Sequence, residues 1–381
     1  MVYQISHYED QVSTPVTFGH LYAMRPPFCF AQLNPKITPV INQFGARLIA
    51  DLEKDNLHGS ISVVILKNDQ IIWSRAFGYA NSETDTPADT ANIYRIGSIT
   101  KTFTSTLLMQ LVEEGKIKLD DPVENYLPEI KNLVGYAEYG KITFRQLASH
   151  TSGLNREPGL RGADVGALDD WESKVLACIP QSSFNSKAGE QFLYSNIGVA
   201  ILGLALSRVS GVPYMQMIQQ RIFTPLHMDD SFFALPDDKR SRLAEGLSNN
   251  DKGQVNTKLP LKEIAGRGYR VPNGGIFSTP RDLAKFVIAM EGKKQLLTAQ
   301  SLKQMQSIPA GGKNYGLGLM VINNRQFNVI GHNGSVPGYT SQFLIDQDSG
   351  YAVILMRNYN FGSTDLERTA LGLLKELKQA E

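Results

Sequence analysis

The chain of 381 residues carries 38 Lys plus Arg against 37 Asp plus Glu, a formal net charge of +1, with 42% hydrophobic and 20% charged residues. That balance is ordinary for a globular protein and excludes collagen-like, coiled-coil and wholly disordered classes. No block of like charge marks a partner in nucleic acid or anionic membrane, and the longest apolar run, Ile197 to Leu206, is about half of a bilayer span, so neither nucleic-acid binding nor a transmembrane segment is expected.

Residues 1 to 36 hold Pro15, Pro26, Pro27 and Pro35 with little periodicity and read as an N-terminal extension. Met1 to Asp10 lacks the basic and apolar regions of a signal peptide. The sequence as it stands reads as cytoplasmic, or as periplasmic or secreted if a leader has been removed. The two cysteines, Cys29 and Cys178, lie far apart without metal-ligand neighbours and are expected as free, buried thiols.

From Ile37 onward Val40, Ile41, Phe44, Leu48, Ile49 and Leu52 recur at helical spacing. Two β-rich segments follow, Ser60 to Lys67 and Gln70 to Gly78, joined at Asn68-Asp69 as a tight hairpin turn would join them. Ser98 to Glu114 predicts a helix with Phe103, Leu107, Leu108, Leu111 and Val112 on one face and Gly115 at its stop, which puts Ser98 at a helix N-terminus. Helical patterns, broken by prolines, dominate residues 120 to 230, with helices near Thr143 to Ser149 and Ile197 to Val209. Strand patterns return at Asn328 to Gly331, Ser341 to Asp346 and Tyr351 to Arg357, ahead of a helical tail from Asp365 to Lys378. A sheet assembled from both ends of the chain, with a helical region between, is the simplest architecture for that order.

Ser98-Ile-Thr-Lys101 is the only S-x-x-K string in the chain. On a helix, side chains three residues apart stand side by side, so hydroxyl and amine can share a proton. Serine is a poor nucleophile until a base takes its proton, and lysine becomes that base when burial and neighbouring cations lower its pKa. The helix N-terminus adds free N–H groups and positive potential.

Two further motifs follow in order, Tyr194-Ser-Asn196 and His332-Asn-Gly334. With Leu147 to Leu154, Gly274 to Thr279, Tyr315 to Leu319 and Gly338-Tyr339, they make the chain resemble the serine β-lactamase and penicillin-binding-protein superfamily over about Ile37 to Leu374. The branch is that of class C β-lactamases, D-alanyl-D-alanine carboxypeptidases and the related esterases. Tyr79-Ala-Asn81 and Lys187-Ala-Gly189 fit the same short patterns but fall in the wrong order.

The resemblance implies a mixed α/β (α+β) fold, an antiparallel sheet flanked by helices with an inserted all-helical subdomain. The catalytic domain is expected over residues 37–381, its α/β part at 37–97 and 270–381 and its helical part at 98–269. The implied catalytic residues are Ser98, Lys101, Tyr194 and His332. Tyr194 would exchange protons with serine and leaving group, its phenol acidified by a neighbouring ammonium. Asn196 would offer its amide to the acyl side chain and to Lys101. His332, an imidazole that titrates near neutrality in place of a lysine, would hydrogen-bond Tyr194. The backbone N–H groups of Ser98 and Ser335 would hold the oxyanion, with Gly334 letting that strand approach. Asn333 stands where carboxylate-reading members carry Thr or Ser, and Met320 where some carry an anion-binding Arg. That departure favours substrates without a free carboxylate, with Arg267 and Arg270 as candidate replacements.

No G-x-S-x-G elbow, H-E-x-x-H, Walker A or strand-linked G-x-G-x-x-G is present, and no cofactor or metal is expected. The expectation is a serine hydrolase that opens an ester or amide of a small-molecule or peptide-like acyl substrate through an acyl-enzyme on Ser98. Carboxylesterase, D-amino-acid peptidase and β-lactamase chemistry all remain open. The alternative is a catalytically degenerate relative that binds or assembles.

Overall fold

The computed structural model describes residues 34–249, 255–264, 266–294 and 296–381. Most of the N-terminal extension, with Cys29, lies outside the described residues. Helix α1 (Thr38–Asp55) buries Ile41, Phe44 and Leu48 and ends at Asn56, whose φ of 49° suits a residue tolerant of the left-handed region. Strands β1 (Ser60–Lys67) and β2 (Gln70–Asn81) form the expected hairpin, turning at Asn68 with φ 54°. Strand β2 runs past Gly78 to pair with the short β3 (Thr86–Pro87).

Strands β4 (Met320–Asn323), β5 (Asn328–Val336), β6 (Tyr339–Asp346) and β7 (Tyr351–Arg357) complete a seven-stranded sheet of order β3-β2-β1-β7-β6-β5-β4. Every pairing in it is antiparallel, and the two ends of the chain meet at its centre, where Val64 of β1 lies opposite Ile354 of β7.

Side chains alternate between the two faces of each strand. Val64, Leu66, Ile330, Phe343, Ile345 and Ile354 join the larger core with helix α2 (Thr100–Glu113) and helix α4 (Asn196–Ser210). A short helix α3 (Phe144–Ala148), closed by a capping box between Thr143 and Gln146, packs into the same core. Ile61, Val63, Ile65, Leu344, Val353 and Leu355 join a second core with α1 and the C-terminal α6 (Leu366–Ala380); the one-turn helix α5 (Val271–Gly274) lies on the first side, against α2 and α4.

The sequence pattern of α2 suggests one apolar face, yet Thr102, Thr104 and Thr106 are buried as well. The reason is hydrogen bonding. Thr102 Oγ1 donates to the Gly318 carbonyl at 2.7 Å and Thr104 Oγ1 to that of Pro272 at 2.6 Å, so the polar side is satisfied inside the protein. Helix α2 is thus enclosed on all sides. The apolar run in α4 is likewise core, and among the described residues no single helix is long and apolar enough to cross a membrane. Cys178 is a free, buried thiol.

Candidate active site

A 3-10 turn, Gly97–Ile99, leads into α2 and carries Ser98 at the partly exposed end of that buried helix. Gly97 has φ +51°, and a Cβ there would lie 2.9 Å from the backbone nitrogen of Ser335. A Cβ at Gly334 would collide with the Ile96 carbonyl, which instead accepts a hydrogen bond from Ser341 Oγ at 2.8 Å. Two residues without side chains therefore let the turn of Ser98 lie directly on β5.

Lys101 is 1% exposed. Its Nζ donates to Ser98 Oγ at 3.0 Å and to the Asn273 carbonyl at 2.9 Å, and no carboxylate among the described residues pairs with it. Burial, then the charge of Arg267, pushes the pKa of its ammonium well below the usual lysine value, which disfavours the charged form.

The Tyr194 ring lies 4.9 Å from Lys101 Nζ and 4.9 Å from the Arg156 guanidinium. Its phenol is not acidified as the sequence suggested. Burial pushes it up to about 12, only partly offset by a hydrogen bond with Ser98 and by the charge of Arg156.

His332 lies on the inner face of β5, 1% exposed, but does not bond Tyr194. Its Nε2 meets the Tyr315 hydroxyl at 2.7 Å and its Nδ1 the Asn333 carbonyl at 2.6 Å. A carbonyl only accepts, so Nδ1 carries the proton and Nε2 accepts from Tyr315. Burial, with the Lys101 charge next, lowers its pKa to about 3, so it does not titrate near neutrality as expected. The connection to Tyr194 runs through aromatic rings: the His150 ring packs tilted against those of Tyr194 and Tyr315, centroids 4.2 Å and 4.9 Å away, while its Nδ1 accepts the Ser195 N–H at 3.1 Å.

Asn196 opens α4, whose cap is Ser195, with Oγ accepting from the Gly198 N–H. Its amide makes no hydrogen bond with Lys101; Nδ2 donates to Glu157 Oε1 at 2.6 Å, and Lys101 Nζ donates to Ser98 and Asn273 instead. Glu157 also takes bonds from the Tyr269 hydroxyl and from Arg270 Nη2 at 2.9 Å. Arg270 is thereby committed, and Arg267 is 5% exposed and paired with Glu263. Asn333 and Ser335 point their side chains to the opposite face of β5, toward α6, since strand alternation puts His332 and Gly334 inward. Only their backbones face Ser98.

Residues 46–376 match the beta-lactamase family. The chain belongs to this family. It is 29% identical over 356 residues to Beta-lactamase-like protein 4 of Dictyostelium discoideum, an alignment that covers 85% of this chain and 61% of that protein. The chain thus spans about three-fifths of that relative's length. The octameric penicillin-binding protein homologue from Pyrococcus abyssi superposes with a TM-score of 0.74 at 26% identity, over 89% of this chain and 77% of the other. The D-amino acid amidase from Ochrobactrum anthropi, complexed with D-phenylalanine, superposes with a TM-score of 0.76 at 22% identity, over 90% of this chain and 100% of the other, which is a likeness of fold. The mixed sheet-and-helix architecture expected from the motifs is therefore that of β-lactamases and transpeptidases.

Within this family frame the sequence reading passed over His150, Tyr315, Glu157 and Asn273. His150 and Tyr315 sat inside quoted segments, Leu147 to Leu154 and Tyr315 to Leu319, without a role of their own. Glu157 and Asn273 carry no local signal, because what each does depends on partners far away in sequence.

Proposed function

We propose that the protein is a serine hydrolase that cleaves an ester or amide through a covalent acyl-enzyme on Ser98. The observation that carries this reading is Lys101, buried without a carboxylate partner and 3.0 Å from the Ser98 hydroxyl oxygen. As Ser98 Oγ bonds to the acyl carbon, its proton passes to Lys101 Nζ. The carbonyl π electrons move onto oxygen, which the N–H groups of Ser98 and Ser335 stabilise. Collapse of that intermediate expels the alcohol or amine, protonated by the Tyr194 phenol, which recovers its proton from Lys101. Water then repeats the sequence and frees the acid. Asn196, held by Glu157, lies beside this path and is suited to the substrate's acyl group. Esters need least help at the leaving group and are the first substrates to try. The non-catalytic alternative has no comparable support, since burying an amine beside a serine with no carboxylate partner among the described residues costs stability.

Intact-protein mass spectrometry after exposure to p-nitrophenyl acetate, a fluorophosphonate and a penicillin, with wild type and Ser98→Ala in parallel, tests the reading. Adducts on wild type alone are expected. A penicillin adduct brings peptidase or β-lactamase chemistry forward, and identical behaviour of the two proteins overturns the catalytic reading in favour of a binding module.

A further inference from the structure

Behind Lys101 two arginines share one carboxylate. Arg95 is 1% exposed, and its Nη1 donates to Glu263 Oε2 at 2.9 Å. Arg267, 5% exposed, brings its Nε to 3.5 Å from the same oxygen. The cluster has one positive charge in excess, and Nε and Nη2 of Arg95 with Nε of Arg267 are buried without a hydrogen-bond acceptor among the described residues. A buried cation that lacks its full complement of partners is costly, so packing alone gives no reason for it.

Its position supplies one. Arg267 Nη1 donates to the Gly274 carbonyl at 3.4 Å, and Lys101 Nζ donates to the preceding carbonyl in α5, that of Asn273. A Cβ on Gly274 would stand 3.5 Å from Arg267 Nη1 and 3.9 Å from the carbonyl carbon of Gly97. The guanidinium thus approaches both the amine and the nucleophile's own turn across a residue with no side chain.

We infer that Arg267, anchored on the Gly274 carbonyl beside the Asn273 carbonyl that holds Lys101, is a positioning residue that tunes Lys101 as the base for Ser98. A fixed cation nearby opposes the ammonium and leaves the free amine untouched. Arg156 and Arg270 act on Lys101 in the same sense and Glu157 in the opposite one, while Arg267 follows burial as the largest influence. The remaining groups around the amine, Tyr194, His150 and His332, are held neutral by burial. The inference rests on Lys101 acting as the base for Ser98.

The test is the rate of Ser98 labelling by a fluorophosphonate between pH 4 and 9.5, in the full chain as wild type, Arg267→Gln and Arg267→Lys, with melting curves for each. Wild type should gain reactivity with pH through a single acidic limb. In Arg267→Gln the midpoint should rise by about one unit or more, with roughly tenfold slower labelling below it and an unchanged plateau above. Arg267→Lys, which keeps the charge, should restore most of the wild-type midpoint. Should Arg267→Gln fail to fold, Glu263→Gln carries the test by moving the limb the other way. A limb at one midpoint in all folded variants, or absent from all, overturns the role of Arg267. Failure of wild type to label at any pH sinks the underlying assignment of Ser98 instead.

Discussion

Tyr315 donates its hydroxyl proton to Nε2 of His332 at 2.7 Å, while the other ring nitrogen is occupied by the Asn333 carbonyl at 2.6 Å. Burial, with the charge of Lys101 second, lowers the pKa of this imidazole to about 3, although the bond to the Asn333 carbonyl works the other way. The unfolded chain binds that proton from near pH 6.5 downward, so the contribution to stability is complete above about pH 6.5 and is lost as pH falls toward 3. Melting temperature should therefore drop as pH is lowered from 7 to 4, and His332→Gln should flatten that slope. Part of it will persist, because His150 is lowered in the same direction. Equal slopes in wild type and variant would contradict this account.

Removing the donor gives a second expectation. Tyr315→Phe leaves Nε2 of His332 buried and unsatisfied, a loss of about 1–3 kcal/mol in folding stability. Denaturant titration at neutral pH measures it directly, and an unchanged midpoint would show that the bond contributes nothing.

Lys101 trades stability for reactivity. Its ammonium is disfavoured in the folded protein, so the unfolded chain holds more protons between the lowered value and about 10.4, and stability rises with pH across that window. Lys101→Met should abolish Ser98 labelling and lack this rise. The stability difference, variant minus wild type, should shrink between pH 7 and pH 9.5; a constant difference in urea midpoint would refute the depressed pKa.

Glu157 supports the ammonium of Lys101, opposite in sense to Arg267. Glu157→Gln should therefore shift the acidic limb of labelling downward, where Arg267→Gln shifts it upward. Shifts of the same sign in both variants would mean that structural disturbance, and not charge, governs the limb.

Gly97 gives the most local test of geometry. Alanine there combines φ +51° with a methyl group 2.9 Å from the Ser335 nitrogen, and the displacement of Ser98 should slow labelling by about a hundredfold. Circular dichroism would check that the fold survives, and labelling at the wild-type rate would show that this close approach is not needed.

Much of the scaffold was legible in the sequence because its signals are local. Ser60–Lys67 and Gln70–Asn81 announce themselves through β-rich segments flanking Asn68-Asp69, and Ser98 with Lys101 through helical spacing. The side of α2 that carries Thr102, Thr104 and Thr106 was not legible, since a threonine satisfied by a buried carbonyl looks in sequence like one facing water. The same limit applies around the site. That His332 meets Tyr315, that Asn196 meets Glu157, and that the pKa of Lys101 is lowered all depend on burial and on partners brought together only by the tertiary fold.

The sheet closes by inserting its last three strands between β1 and β4, and with them comes the backbone of Gly334 and Ser335 against which the turn of Ser98 rests. A chain emerging from the ribosome makes its nucleophile early and the other wall of the cleft late. The intervening helical region has to wait, with its apolar core only half covered, for β5, β6 and β7 to arrive. The turn of Ser98 consequently gains its resting surface on β5 only once the C-terminal strands have been made.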